Sequence, residues 1–310
     1  MGVSIAEYLG VRVDGTIPIT PLPTTRKQKV ACPFRNHYCE KAYKGNKPVC
    51  SVRADDGPLW IVCSHRLCSP QPKDAPLNEH QKNILRKIAK TIYEPNIPDS
   101  DILVKREVAI KVTEDSDYSA DYVMWRKNPR QGSPNNPDRA VVLEMQGGGE
   151  TTNTGVITKL VDTWEHLPVP TNTILGGATK ASPLVTNAWR RQQEQFLVKG
   201  NVAMMTGGRM VFCVGSLIYD YLIQRFTSVN LVDLKSSNWT LALMTFIEDM
   251  SGTQAPPSCA PHSIQLMLDP NKLLFTNYSS FVQALTNQAN PSTSVFTGEY
   301  TTLGGGLTII

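Results

Sequence analysis

The chain has 310 residues, of which 41% are hydrophobic and 19% are charged, and its net charge is +4. This composition is ordinary for a folded soluble protein, and the lack of an apolar run of spanning length argues against a transmembrane segment. The N-terminus has neither the basic flank nor the small-residue cleavage site of a secretion signal, so we expect a cytoplasmic protein in which disulfides are disfavoured.

A basic segment follows a proline-rich lead-in. Residues 18–34 contain four prolines, which predict an extended or turning backbone. Residues 24–67 carry nine Lys or Arg residues against three acidic ones. Positive charge concentrated in this way suits contacts with nucleic-acid phosphates, although a solvated surface is the common alternative. The basic residues are Arg26, Lys27, Lys29, Arg35, Lys41, Lys44, Lys47, Arg53 and Arg66.

Five of the seven cysteines lie between residues 32 and 68. Four of them are separated by six, ten and twelve residues, without a Cys-x-x-Cys pair: Cys32, Cys39, Cys50 and Cys63. A tetrahedral site of four thiolates can hold zinc or iron. Buried structural thiols are the alternative interpretation. His65 and Cys68 are further candidate ligands, whereas Cys213, in an apolar run, is expected in the core.

A second proline-rich stretch, residues 69–76, predicts a boundary after the last clustered cysteine. Residues 77–93 then place apolar side chains at helical spacing. Strand-like runs follow, and the turn formers between the last two predict a long hairpin connection. The strands are predicted at 102–112, 119–127 and 139–146, and the connection at 128–138.

The remaining elements complete a mixed α/β pattern. Residues 183–199 predict a helix with polar residues at positions 190–194. This helix either packs on the core as an amphipathic helix or has a Gln or Arg that reaches a metal or a phosphate. Further strands and a last helix are predicted at 209–215, 238–250, 263–270 and 271–286.

The residues most suggestive of chemistry lie on two of these strands. Glu144 and Gln146 are two positions apart and therefore project from one face, while Asp121 lies on the preceding strand. If the strands pair, the two carboxylates can share a divalent cation, and oxygen ligands favour Mg²⁺. Such an ion activates water against a phosphodiester. Asp117 is a competing acidic partner, and exposed strand ends are the alternative interpretation.

Four separated segments together resemble the NotI/EagI group of type II restriction endonucleases. They occur in the same order and span most of the chain. They are "SIAEYLGVRV"; the cysteine series in "ACPF", "YCEK", "PVCSV" and "IVCSHR"; "SADYVMW" followed by "VVLEMQ"; and "HSIQLMLDPNKLL".

The resemblance implies a fold and a site. The fold is a mixed-sheet PD-(D/E)xK nuclease core over residues 71–310 with a C-terminal extension, preceded by a four-cysteine, DNA-contacting subdomain over residues 1–70. Asp121 and Glu144 correspond to magnesium ligands, and Gln146 stands where lysine is usual. Structural iron is implied at Cys32, Cys39, Cys50 and Cys63.

Function and partners follow from the same resemblance. Members of the group are bacterial homodimers that cut GC-rich palindromes containing GGCC and leave 5′ overhangs. The all-glycine loop after Gln146 departs from the group's pattern. We therefore expect a Mg²⁺-dependent, sequence-specific endonuclease. A non-catalytic, metal-stabilised DNA-binding protein is the second hypothesis, and an enzyme with a reactive cysteine is the third.

Overall fold

The computed structural model describes residues 2–23, 25–55, 57–113, 116–127, 140–226, 231–235, 238–252, 255–286 and 293–310. The predicted hairpin connection at 128–138 lies outside these ranges. The described parts form a mixed α/β structure around a six-stranded mixed sheet.

The strands are β1 (Val3–Tyr8), β2 (Val11–Arg12), β3 (Val49–Ala54), β4 (Leu59–Ile61), β5 (Ile102–Thr113), β6 (Ser116–Arg126), β7 (Val141–Gln146), β8 (Arg209–Gly215), β9 (Leu241–Glu248), β10 (Leu266–Thr276), β11 (Glu299–Thr301) and β12 (Leu307–Ile309). The helices are α1 (Glu40–Tyr43), α2 (Ser64–Leu67), α3 (Glu79–Ile92), α4 (Thr154–Glu165), α5 (Asn172–Leu175), α6 (Val185–Met205), α7 (Ser216–Gln224) and α8 (Tyr278–Thr286). Within the described ranges, none of the helices combines the length and the apolar character needed to cross a membrane.

The large sheet has the strand order β10-β9-β8-β7-β6-β5. Strands β7, β8 and β9 are parallel neighbours, and the remaining pairs are antiparallel. Parallel strands require crossover connections. Helices α4 to α6 connect β7 to β8, and α7 lies between β8 and β9. Because β8 is covered on both faces, its sequence is an unbroken run of buried residues.

Alternate residues of β8 enter two different hydrophobic clusters. Phe212 packs with residues of α4, α6, α7 and α8 on one face of the sheet. Cys213 packs with α3 on the other face, so the prediction that it is a core residue is confirmed. Helices therefore cover both faces, and the face below α6 is the one that carries the candidate site.

Most of the predicted elements are confirmed, including α3, β5, β6, β7, β8 and β9. Asn78 caps α3 by accepting a hydrogen bond from the backbone N–H of Gln81, whose side chain returns to the Asn78 N–H. The helix predicted at 271–286 is wrong in its first half. Residues 272–276 continue β10, because Leu273 and Phe275 pair with β9 and leave only Tyr278–Thr286 helical.

A second sheet, of order β2-β1-β3-β4, is built from the N-terminal region. Its residues Tyr8, Val52 and Trp60 belong to the same hydrophobic cluster as Trp164 of α4 and Trp189 of α6. Residues 1–70 and the rest of the chain thus share a common core. Their division into two functional regions stays a prediction.

His80 is a buried imidazole at the start of α3. Its Nε2–H donates to the carbonyl oxygen of Leu67 at 2.9 Å, and its ring contacts Phe34. Burial, reinforced by the charge of Arg66, lowers the pKa of His80 from 6.5 to about 3. Between these values the unfolded chain binds a proton that the folded protein does not. The folded protein is therefore destabilised relative to the unfolded chain as the pH falls below the pKa that His80 has in the unfolded chain.

We predict that lowering the pH from about 6.5 to about 5 destabilises the wild-type protein by about 2 kcal/mol more than a His80→Gln variant, which lacks the imidazole. Urea unfolding at both pH values measures the difference. His37, which is exposed, provides the control, because His37→Gln should keep the wild-type pH dependence. Equal pH dependence in wild type and His80→Gln would contradict the assignment.

Candidate functional site

Asp121 and Glu144 lie side by side on β6 and β7. The two strands pair antiparallel with Tyr122 opposite Leu143, so the same register places Asp121 opposite Glu144. The backbone N–H of Met145 donates to Asp121 Oδ2 at 2.9 Å. The Asp121 N–H is 3.4 Å from Glu144 Oε1. The structure thus brings these two predicted residues together, as the strand pairing required.

The electrostatics of the pair disfavour two free negative charges. Desolvation, and after it the charge of Asp121, raises the pKa of Glu144 to about 8, while Lys199 opposes the shift. Desolvation also raises the pKa of Asp121. Glu144 is only 4% exposed, so solvent screens little of this repulsion. A bound metal cation would favour the ionised form of both carboxylates.

Lys199 of α6 already supplies one positive charge. Its ammonium group donates to Glu144 Oε2 at 2.8 Å and to Gln195 Oε1 at 2.9 Å. The residue is 1% exposed. Sequence reasoning considered the polar positions 190–194 and did not consider Lys199. The available signal was that Gln195 and Lys199 are four residues apart and therefore lie on one side of the helix.

Gln146, the third predicted residue, lies two positions beyond Glu144 on the same face of β7. Its side-chain amide donates to the backbone carbonyl of Gly148 and lines a cavity of about 540 Å³. The glycine-rich loop is explained by packing. Gly148 bridges Ile61 of β4, and a Cβ at this position would clash with the Ile61 backbone.

Another acidic residue, Glu107 of β5, borders the pair. The pairing of Arg106 with Tyr122 and of Val108 with Ala120 places it opposite Asp121, and its charge contributes to raising the pKa of Asp121. Its φ of +45° is a left-handed conformation that costs a non-glycine residue about 1–2 kcal/mol. Nothing in the local sequence indicated this position. Asp117, the competing partner, is on β6, but its side chain lies outside those described.

The four predicted cysteine ligands meet around one small cavity. Its volume is about 130 Å³, and it also contacts His65. All four cysteines are free rather than disulfide-bonded. Burial raises the pKa of Cys32 to about 12 and raises those of Cys39 and Cys50. These thiols are therefore protonated in the metal-free chain: Cys32, Cys39 and Cys50.

The chemistry of these donors fits a thiophilic metal, which binds thiolates and releases their protons. His65 adds an unsatisfied group, since its buried Nδ1 has no hydrogen-bond partner, while its Nε2 lies 2.8 Å from Arg35. Among the described residues, however, no group of three or more Cys, His, Asp or Glu side chains is arranged to hold a metal ion. The metal-binding subdomain therefore stays a prediction.

Cys68 is separate from this cluster. It is fully buried among the residues of α3 and β7, and its Sγ lies 3.4 Å from the Tyr122 hydroxyl. Burial raises the pKa of Cys68 to about 12. A buried, protonated thiol is a poor nucleophile, which argues against the hypothesis of a reactive cysteine at this position.

The basic segment is less available to a polyanion than its composition suggests. Arg66 is buried against Glu7 at 2.5 Å, so its interpretation as a phosphate contact is wrong. Lys47 pairs with Asp162 at 2.6 Å, and Arg53 pairs with Glu248 at 2.6 Å. Four members of the segment are exposed: Arg26, Lys27, Lys29 and Lys44.

No protein-family model matches the chain, and no curated protein matches it.

Proposed function

We propose that the protein is a Mg²⁺-dependent, sequence-specific endonuclease of double-stranded DNA, with a core of the PD-(D/E)xK type. The observation that carries the proposal is the pairing of Asp121 with Glu144 across the neighbouring strands β6 and β7, where desolvation raises the pKa of both carboxyl groups. Burying two adjacent carboxylates costs free energy unless a cation compensates their charge. Carboxyl groups with shifted pKa values of this kind cluster at functional sites. Lys199 places an ammonium group next to them, and Gln146 lies two positions beyond Glu144 on the same face of β7.

Each residue has a distinct role in this proposal. Asp121 and Glu144 would hold the magnesium ion, which when bound supplies an activated water and stabilises the departing oxygen. The Met145 N–H fixes the orientation of Asp121. Lys199 donates a hydrogen bond to Glu144 and opposes the rise in the pKa of this carboxyl group. Gln146 would position water through its side-chain amide. The resemblance implies a lysine where this chain has Gln146. Lys199 from α6 would supply the positive charge of that lysine.

The proposed substrate is a GC-rich palindrome containing GGCC, cut to leave 5′ overhangs in the bacterial cytoplasm. A homodimer would match the two-fold symmetry of such a site. The exposed Arg26, Lys27, Lys29 and Lys44 would contact phosphates.

A non-catalytic DNA-binding protein is the second candidate, favoured by the same exposed basic residues. It would have no need for the buried carboxylate pair. The two candidates differ in one measurement, incubation of plasmid DNA with the protein and Mg²⁺. The nuclease predicts discrete fragments whose ends map to one palindrome. Binding without nicking under any divalent cation would establish the alternative.

We further propose that Cys32, Cys39, Cys50 and Cys63 hold a structural iron ion, with zinc as the alternative metal. We predict that Cys50→Ser lowers the bound metal to well below one ion per chain, because serine replaces a buried thiol of the cavity. Elemental analysis of purified protein measures the content. Cys259→Ser is the control, since Cys259 is also free but lies outside this cavity. Metal-free wild-type protein would contradict the proposal.

A further inference from the structure

The large cavity beside Gln146 has the size of a ligand site. Its volume of about 540 Å³ falls within the roughly 300–1,000 Å³ that is usual for ligand pockets. Its walls come from the segment around Lys41, from the loop after β7, and from the first turns of α4 and α6. Gln146 connects it to the carboxylate pair, because Glu144 is two residues away on the same face of β7.

One part of the lining is aliphatic. It is formed by β3, the residue after β4, α4 and α6, which contribute Val49, Val52, Val62, Ile157 and Ala188. Such a surface accepts the flat face of an aromatic ring without competing for its polar edge.

Another part of the lining consists of amides. The side chains of Asn46, Asn187 and Gln192 contact the cavity, and within the described ranges they have no hydrogen-bond partner. Each amide offers two donor hydrogens and an acceptor oxygen. Asn and Gln side chains match the mixed donor and acceptor edges of nucleobases. Amides next to an aliphatic surface suit a ligand that is apolar on its face and polar at its edge.

An exchangeable cation also contacts the cavity. Arg191 pairs with Glu150 at 2.9 Å, and their side chains are 64% and 52% exposed. Exposed pairs of this kind contribute little to stability. A phosphate can therefore replace Glu150 as the partner of the guanidinium, with which it forms bidentate hydrogen bonds.

We propose that this cavity binds a single nucleotide. Its base lies against Val62 and Ile157, its edge bonds to the amides, and its phosphate contacts Arg191. The nucleotide is either free in solution or extruded from a DNA strand. The extruded form rests on the proposed nuclease function, whereas binding of a free nucleotide does not.

The test uses a substitution that fills the cavity. Thr158 lines it from an exposed position on α4, so Thr158→Phe blocks the space with little effect on folding. Val156 is 38% exposed on the same helix and does not line the cavity, so Val156→Phe is the matched control. Asn187→Leu removes one amide, and the neighbouring Gln193→Leu provides its control.

The first arm titrates the full-length protein with each of the four deoxynucleoside monophosphates in a calorimeter. We expect saturable binding of at least one of them, weakened about tenfold or more by Thr158→Phe and about fivefold by Asn187→Leu. The two control variants should bind as the wild type does. Binding that is unchanged in Thr158→Phe would place the nucleotide elsewhere and overturn the proposal.

The second arm uses duplexes with 2-aminopurine at successive positions of the mapped cleavage site, with Ca²⁺ replacing Mg²⁺. Extrusion predicts a fluorescence increase with wild type and Val156→Phe that is lost with Thr158→Phe. If plasmid DNA is not cleaved, the proposed function fails, but the titrations still show whether the cavity binds a nucleotide. The inference is overturned if no nucleotide binds up to about 1 mM and no fluorescence change depends on Thr158.

Discussion

Cleavage of plasmid DNA is expected to fall by about 10³-fold or more when Glu144 is replaced by glutamine. A preorganised charged group at a reaction centre contributes on this scale, and an amide is a poor ligand for magnesium compared with a carboxylate. Asp121→Asn should have a similar effect, because the two carboxylates act as one site. Initial rates at saturating Mg²⁺ measure the loss. Activity near the wild-type level in Glu144→Gln would eliminate the proposed site.

The same substitution should not destabilise the fold. Desolvation raises the pKa of Glu144 from 4.5 to about 8, so the folded protein binds the extra proton between these values. Glu144 therefore contributes stability below the pKa that it has in the unfolded chain. This contribution is lost as the pH rises through the pKa that it has in the folded protein. Glutamine removes that loss and still offers an oxygen to Lys199.

Urea unfolding therefore gives an independent check on the Glu144 assignment. Between about pH 5 and pH 8, wild type should lose stability relative to Glu144→Gln by roughly 1 kcal/mol per pH unit. Glu79→Gln is the control for both measurements, because the Glu79 side chain is 49% exposed. If Glu144 had only a structural role, Glu144→Gln would lower the stability of the protein together with its activity.

The candidate carboxylates were accessible to sequence reasoning because they depend on local rules. Strand periodicity puts Glu144 and Gln146 on one face, and antiparallel pairing then aligns Asp121. Lys199 was not accessible in this way. It reaches Glu144 only because α6 packs on this face, a contact between residues 55 positions apart. Glu107 likewise depends on the register between β5 and β6.

For the basic segment, the sequence led to a wrong prediction. Composition cannot distinguish a surface arginine from one that is buried with a carboxylate from a distant strand. Arg66 was grouped with the phosphate-binding candidates, yet its side chain is 1% exposed. Its partner, Glu7, lies in the N-terminal strand, which sequence reasoning did not predict as a strand. The error comes from tertiary pairing rather than from local preference.

Glu7 and Arg66 join four parts of the chain. Arg66 donates to Glu7 Oε2 at 2.5 Å, and its guanidinium lies 4.8 Å from the centre of the Phe34 ring. The Ser51 hydroxyl and the Ile264 N–H also donate to Glu7, at 2.7 and 2.8 Å. The network therefore connects β1 with β3, with α2 and with the segment that precedes β10.

Replacing Arg66 with methionine is expected to destabilise the protein by about 3–5 kcal/mol, because it leaves the Glu7 carboxylate buried without its counter-charge. Urea denaturation gives the free energy from the midpoint and slope. The double variant Glu7→Gln/Arg66→Met should recover most of the loss, since it removes both charges. Arg86→Met is the control: Arg86 pairs with Asp99 on the surface, with side chains 31% and 61% exposed, and should cost no more than about 1 kcal/mol. Equal losses for the two methionine variants, or no recovery in the double variant, would show that the buried charge pair does not hold these elements together.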